Sequence, residues 1–132
     1  MTVVVDASTV VAALVDTGTD GAWAESVLVA EPLAAPHLLL VEVTNILRRA
    51  ANAGQLSHDA AAFAHAHLIQ LRVDLFDYEP LAERIWALGR NVTAYAAWYV
   101  ALAESLGASL ATLDRALGRA PGPSCPFLHP AG

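Results

Sequence analysis

The chain has 132 residues, of which 56% are hydrophobic and 15% charged. That length suits one domain spanning residues 1–132 with its own core, and the composition excludes a disordered chain or a coiled coil. Seven basic residues, all arginine, face thirteen acidic ones for a formal charge of −6. This balance argues against tight non-specific nucleic-acid binding driven by counterion release. It leaves room for a metal ion that reverses the sign of a local carboxylate pocket. The absence of lysine excludes Schiff-base and P-loop lysine chemistry.

The longest apolar run, Ala96 to Ala103, is far shorter than the roughly 18 residues of a membrane span. The N-terminus lacks the order of a signal peptide. Cys125 stands alone, so neither an intrachain disulfide nor a thiolate metal cluster is available. The expectation is a soluble cytoplasmic protein without membrane association.

In chain order, Val3-Val4-Val5 reads as a buried strand, with Asp6 at its end and a helix from Ser8 to Val15. Asp16 to Gly21 reads as a loop, with Asp20 a candidate cap for a helix over Ala22 to Ala30. A short strand at Leu33 to Ala35 precedes Pro36, which suits the opening of a helix from His37 to Asn52. Ser57 caps a helix reaching Gln70, and the alternation of Leu71 to Phe76 predicts a strand. Pro80 opens a short helix ending near Gly89. Thr93 caps a helix that runs to Leu106, where Gly107 stops it. Ser109 to Thr112 reads as a strand, Asp114 precedes a short helix, and Cys125 to Leu128 reads as an edge strand. Strands alternating with helices predict an α/β fold with a mainly parallel central sheet. Ligands of such sheets bind beyond the carboxyl ends of the strands, where Asp6 and Asp114 fall.

Glu42 interrupts Leu38-Leu-Leu-Val-Glu-Val43. Its helical neighbours Leu38, Leu39, Asn45 and Ile46 place it at the edge of a buried face. A lone carboxylate there needs a compensator. A cation is one, Arg49 another, and solvation at the helix edge a third. Asp6 and Asp114 each suit a helix N-cap when taken singly. Taken with Glu42, three converging carboxylates would repel one another without a cation, and hard oxygen ligands suit Mg²⁺ or Mn²⁺. His65 and His67 lie on different sides of a helix and, with His58, read as surface residues; His37 and His129 lack recognisable partners. Trp23, Trp86 and Trp98 read as core or interface anchors. Ser8 suits either a ligand contact or a cap.

These fragments together resemble the PIN-domain ribonucleases, especially the VapC toxins of bacterial toxin–antitoxin pairs. Val4-Val-Asp-Ala-Ser8 resembles the opening strand with its first acid. Pro36-His-Leu through Val41-Glu-Val-Thr-Asn-Ile-Leu-Arg48 resembles the helix carrying the second. Thr93 to Glu104 resembles the third motif and Thr112-Leu-Asp114 the last. The third motif departs from the family: Ala96 stands where an aspartate is usual. A methyl group neither ligates a cation nor accepts a proton, and Glu104, two helical turns on, faces solvent or an arginine instead.

The resemblance implies a PIN-like fold and metal-dependent endonucleolytic cleavage of RNA, either tRNA or ribosomal RNA. Asp6, Glu42 and Asp114 would hold Mg²⁺ or Mn²⁺ and carry catalysis, with Glu42 positioning or deprotonating the attacking water. Ala96 would mark the metal-ligand position that is missing. Ser8, Arg48, Arg49 and Arg115 are candidate RNA contacts, with Arg90 and Arg119 behind them. Also implied are a VapB-type antitoxin and a homodimer, with the apolar helices Ala22–Ala30 and His37–Asn52 offering an antitoxin groove. With one carboxylate gone, impaired cleavage is expected.

Two other readings compete. In one, the chain is a catalytically dead binding module or decoy that sequesters an antitoxin. In the other, Asp6 belongs to a phosphotransferase of the haloacid-dehalogenase type. That family normally carries a second aspartate two residues later, where Ser8 stands, and uses a lysine that this chain lacks.

Overall fold

A computed structural model describes residues 1–132. Strand β1 (Val3–Val5) leads into helices α1 (Ala7–Val15) and α2 (Thr19–Ala30). Strand β2 (Leu33–Pro36) precedes α3 (Leu38–Asn52) and α4 (His58–Gln70). After β3 (Asp74–Phe76), a 3₁₀ turn (Glu79–Leu81) enters α5 (Ala82–Ala87). The chain closes with α6 (Ala94–Leu106), β4 (Ser109–Ala111), α7 (Arg115–Arg119) and β5 (Phe127–Leu128). The sheet has the order β3-β2-β1-β4-β5, and every neighbouring pair is parallel. The α/β architecture expected from the alternation of elements is the one observed.

The central strand β1 is wholly apolar because it is buried on both faces. Helix α6 packs against β1, β2 and β4. It is rich in alanine, and Ala97, Ala101 and Ala103 are all buried, so small side chains let the helix lie close to the sheet. One core of 26 buried residues runs through sheet and helices.

The helix boundaries have local causes. Ser57 and Thr93 accept from the backbone N–H groups of Ala60 and Ala96, capping α4 and α6. Gly107 ends α6 in the left-handed region at φ 61°, which glycine adopts without strain.

The structure corrects several boundaries. Asp20 lies inside the first turn of α2, which starts after Gly18, so it does not cap the helix. Pro36 ends β2 instead of opening α3. Leu71 to Val73 are not strand; β3 begins at Asp74, opposite Ala34. The alternating pattern there extends beyond the four residues of β2 available for pairing. Only Phe127 and Leu128 of the proline-rich tail join the sheet, pairing with Leu110 and Ala111. Trp86 is 87% exposed and therefore outside the core.

Gly21 has a steric reason. A Cβ there would lie 1.8 Å from the backbone oxygen of Asp16 and 3.1 Å from that of Ala12. Backbone atoms cannot yield as a side chain tip does. Gly21→Ala is expected to destabilise the fold by about 2–3 kcal/mol, in the range for overpacked interiors, as measured by urea denaturation.

Candidate active site

The strand order changes direction between β1 and β4: the chain builds leftward from β1 to β2 and β3, then places β4 and β5 on the other side. Open parallel sheets hold their ligand sites at such a switch point. Asp6 follows β1 directly, and Asp114 lies three residues beyond β4.

Asp6 is partly buried and held by three donors. Its Oδ1 accepts from Ser8 Oγ at 2.7 Å and from the Thr9 backbone N–H at 3.1 Å. Its Oδ2 accepts from Thr112 Oγ1. Both hydroxyls also serve as acceptors: Ser8 Oγ from the Leu113 N–H at 3.1 Å, and Thr112 Oγ1 from the Asp114 N–H at 3.0 Å. A web of short hydrogen bonds thus joins the end of β1 to the loop after β4. Thr9 Oγ1 adds a bond to the Ala111 carbonyl at 2.9 Å. Thr112 is 0% exposed, so its hydroxyl is committed to this web.

Glu42 projects from the edge of α3, beside the buried Leu39 and Val43. Its partner is neither Arg49 nor solvent alone. Tyr99 of α6, itself buried, donates its hydroxyl to Glu42 Oε1 at 2.6 Å. Burial pushes the Glu42 carboxyl up, the Tyr99 hydrogen bond opposes this, and the charge of Asp6 raises it further. Burial likewise raises Asp6 against its hydroxyl donors. Burial, reinforced by Glu42, holds the Tyr99 phenol far above its ordinary value, so Tyr99 remains a donor. Asp6 and Glu42 are therefore neighbouring carboxylates, and none of the three ion pairs in the chain neutralises either.

Asp114 is exposed and turns Oδ1 to the Leu117 N–H at 3.1 Å, capping α7. It shares a cleft of about 220 Å³ with Ala96, Thr93 and Asn91, so the third-motif position faces the fourth-motif acid. Hard carboxylate oxygens without an arginine partner fit a divalent cation by donor chemistry. No three His, Cys, Asp or Glu side chains, however, form a ready-made metal cluster. The fit rests on the Asp6–Glu42 pair, with Asp114 tied to it through Thr112.

Other sequence candidates are placed as follows. Ser8 is a linchpin of the Asp6 web. Arg48 and Arg49 are exposed on α3 near Glu42. Arg115 donates to the Pro130 carbonyl in the tail. Arg90 and Arg119 are exposed, as are His37, His58, His65 and His67. His129 instead contacts the Thr112 carbonyl at 2.9 Å and stacks on Phe127. Glu104 is bound by Arg84 at 2.6 and 3.0 Å and also accepts from Ser124. It fastens the tail to α6, and Arg84 holds its carboxyl below the usual range.

Tyr99 and Thr112 are the site residues that sequence reasoning missed. Tyr99 lies one helical turn beyond Ala96, and Thr112 two residues before Asp114; both spacings are visible signals.

The PIN domain family model matches residues 3–123. The chain belongs to the PIN-domain family. Its relatives include Ribonuclease VapC1 of Mycobacterium tuberculosis, 41% identical with 92% of each chain covered. Ribonuclease VapC9 of the same organism is 38% identical with 95% of each covered. The crystal structure of M. tuberculosis VapC20, described as a sarcin–ricin loop cleaving toxin, gives a TM-score of 0.67 at 19% identity. It covers 89% of this chain and 93% of that one. At that identity the likeness is one of fold. The VapC resemblance of the sequence motifs therefore stands, and the acids of this PIN domain are read in that frame.

A pH test follows from the facing acids. Glu42 has a raised pKa in the folded state, so its ionisation opposes folding, and the penalty grows as pH rises through the folded-state value. Glu42→Gln keeps an acceptor for Tyr99 while removing the charge. It should raise Tm at pH 7 by a few degrees, roughly 3–6 °C per kcal/mol for a chain this size. The gain should vanish below the ordinary glutamate pKa of about 4.3. Thermal melts across that range check it.

Proposed function

We propose that this chain is a VapC-type endoribonuclease that hydrolyses RNA phosphodiester bonds with Mg²⁺ or Mn²⁺, and that Ala96 holds it below full activity. The observation that carries the reading is Asp6 at the switch point of a PIN-domain sheet with Glu42 within reach of its charge, neither of them in an ion pair. Asp6 and Glu42 would hold the cation, with Asp114 completing the set. The ion would supply positive charge at the scissile phosphate and the departing oxygen.

The chain's own groups have separable tasks. Ser8, Thr9 and Thr112 fix both oxygens of Asp6, so little reorganisation is needed when substrate arrives. Tyr99 holds one oxygen of Glu42, leaving the other to orient a water. Glu42 therefore suits removal of a proton from that water as its oxygen attacks phosphorus and the ribose oxygen leaves. Arg48 and Arg49 are the nearby cations able to meet phosphate.

The proposed biological setting is a toxin silenced by a VapB-type antitoxin and assembled as a homodimer. Helices α2 and α3 leave Val29 and Val41 exposed, which suits an apolar partner surface. A second reading, a catalytically silent module that sequesters an antitoxin, is favoured by Ala96 itself.

The purified chain should cleave cellular RNA weakly or not at all with Mg²⁺ or Mn²⁺. Ala96→Asp should gain on the order of a hundredfold or more, the scale of one positioned acid–base or ligand group. Mn²⁺ should also raise the Tm of Ala96→Asp more than that of the parent. A folded Ala96→Asp that binds no metal and leaves RNA intact would overturn the nuclease reading in favour of the silent module.

A further inference from the structure

Glu42 opens onto a groove beside α3. The near part, about 650 Å³, is lined by Glu42, Val41, Tyr95, Arg48 and Arg49 among others. The far part, about 900 Å³ between α3 and α4, shares Asn45, Arg48 and Arg49 with it and adds Asn52, His58 and His65. The two adjoin across these shared residues. Glu42 and Arg49 are seven residues apart on α3, about 10 Å along the helix axis.

The charge on this path is segregated. The chain has thirteen acids against seven arginines and five histidines. Yet Arg48, Arg49, His58 and His65 line the far part, and no carboxylate does. Neither arginine is used inside the protein: the ion pairs join Met1 with Glu31, His37 with Asp77, and Arg84 with Glu104. Both are exposed, so their guanidinium forks are free for a ligand's phosphate oxygens. At the near end Tyr95 is 62% exposed and Val41 67%. They present an aromatic face and an apolar side next to the acid.

We propose that this groove is a binding track for single-stranded RNA. Tyr95 stacks a base beside Glu42, Arg48 and Arg49 grip the phosphates that follow, and the His58–His65 cleft receives the strand beyond. An aromatic platform leading into a basic groove is the arrangement by which proteins hold single strands without reading sequence. A local basic track also lets an acidic protein engage a polyanion, since field at short range is set by near groups. The choice of RNA over other polyanions rests on the nuclease reading; the groove itself does not.

The test is fluorescence anisotropy of a short labelled RNA oligonucleotide of mixed sequence, titrated with the intact chain in EDTA over a range of salt. Binding without cleavage separates the track from catalysis. The Arg48→Gln/Arg49→Gln double variant should lower the log–log salt slope by about 1.4, at about 0.7 for each phosphate contact on a single strand. Tyr95→Ala should weaken binding about fivefold or more, the low end for a lost base stack, while leaving the slope unchanged. His58→Glu/His65→Glu, which places carboxylates in the cleft, should weaken binding at least about tenfold at low salt.

All these residues are exposed, and unchanged circular dichroism and Tm would confirm that the variants fold. Parental slope and affinity in the arginine and histidine variants would overturn the proposal. So would displacement of the RNA by polyglutamate as readily as by unlabelled RNA, which would mark the groove as a seat for an acidic protein segment. Loss of binding in these variants with no cleavage by Ala96→Asp would keep the track and reject the nuclease reading. Cleavage by Ala96→Asp with binding unaffected by the variants would do the reverse.

Discussion

A carboxylate stands at the end of the central strand, at the rim of an apolar core. Desolvation works against it, and the chain answers with three hydrogen-bond donors drawn from two distant segments. Ser8 and Thr9 come from the turn into α1, and Thr112 from the end of β4. The same hydroxyls accept from the backbone of Leu113 and Asp114. Holding Asp6 and joining β1 to the β4 loop are one act. The position of Asp114, the start of α7 and the orientation of the switch point all follow from it.

Glu42 repeats the problem with a different answer. It stands on α3, separated by 57 residues from the tyrosine that holds it. The tyrosine hydroxyl secures the carboxylate without neutralising it. A basic partner would have removed the reason for a cation to bind. The two acids therefore share a property that structural carboxylates such as Glu104 lack. Glu104 is tied to Arg84 and its pKa falls; Asp6 and Glu42 have only neutral donors and theirs rise. This contrast separates Asp6 and Glu42 from the acid that fastens the tail.

Local features of the fold were legible because their causes are local. The β-branched run of β1, the caps at Ser57, Thr93 and Asp114, and the glycine after α6 each act within a few residues. Glu42 was legible as an anomaly in an apolar stretch. Its tyrosine partner and the Thr112 bridge were not, because both depend on α6 and β4 arriving beside segments far away in sequence. Residues 71–73 misled for a related reason: alternation signals a capacity to pair, whereas strand length is decided by the neighbour. Of the two places expected for Trp86, core or interface, its exposure excludes the core, since hydrophobicity alone does not say which side of α5 packs inward.

The all-parallel sheet has a consequence for synthesis. Each neighbouring strand is reached by a crossover, and the segments that hold Asp6 sit near opposite ends of the chain. While a ribosome is still making the first hundred residues, Asp6 has no Thr112 to hold it and β1 lacks its β4 neighbour. Thr112 is made 106 residues after Asp6, so the web around that carboxylate closes only once β4 has joined the sheet.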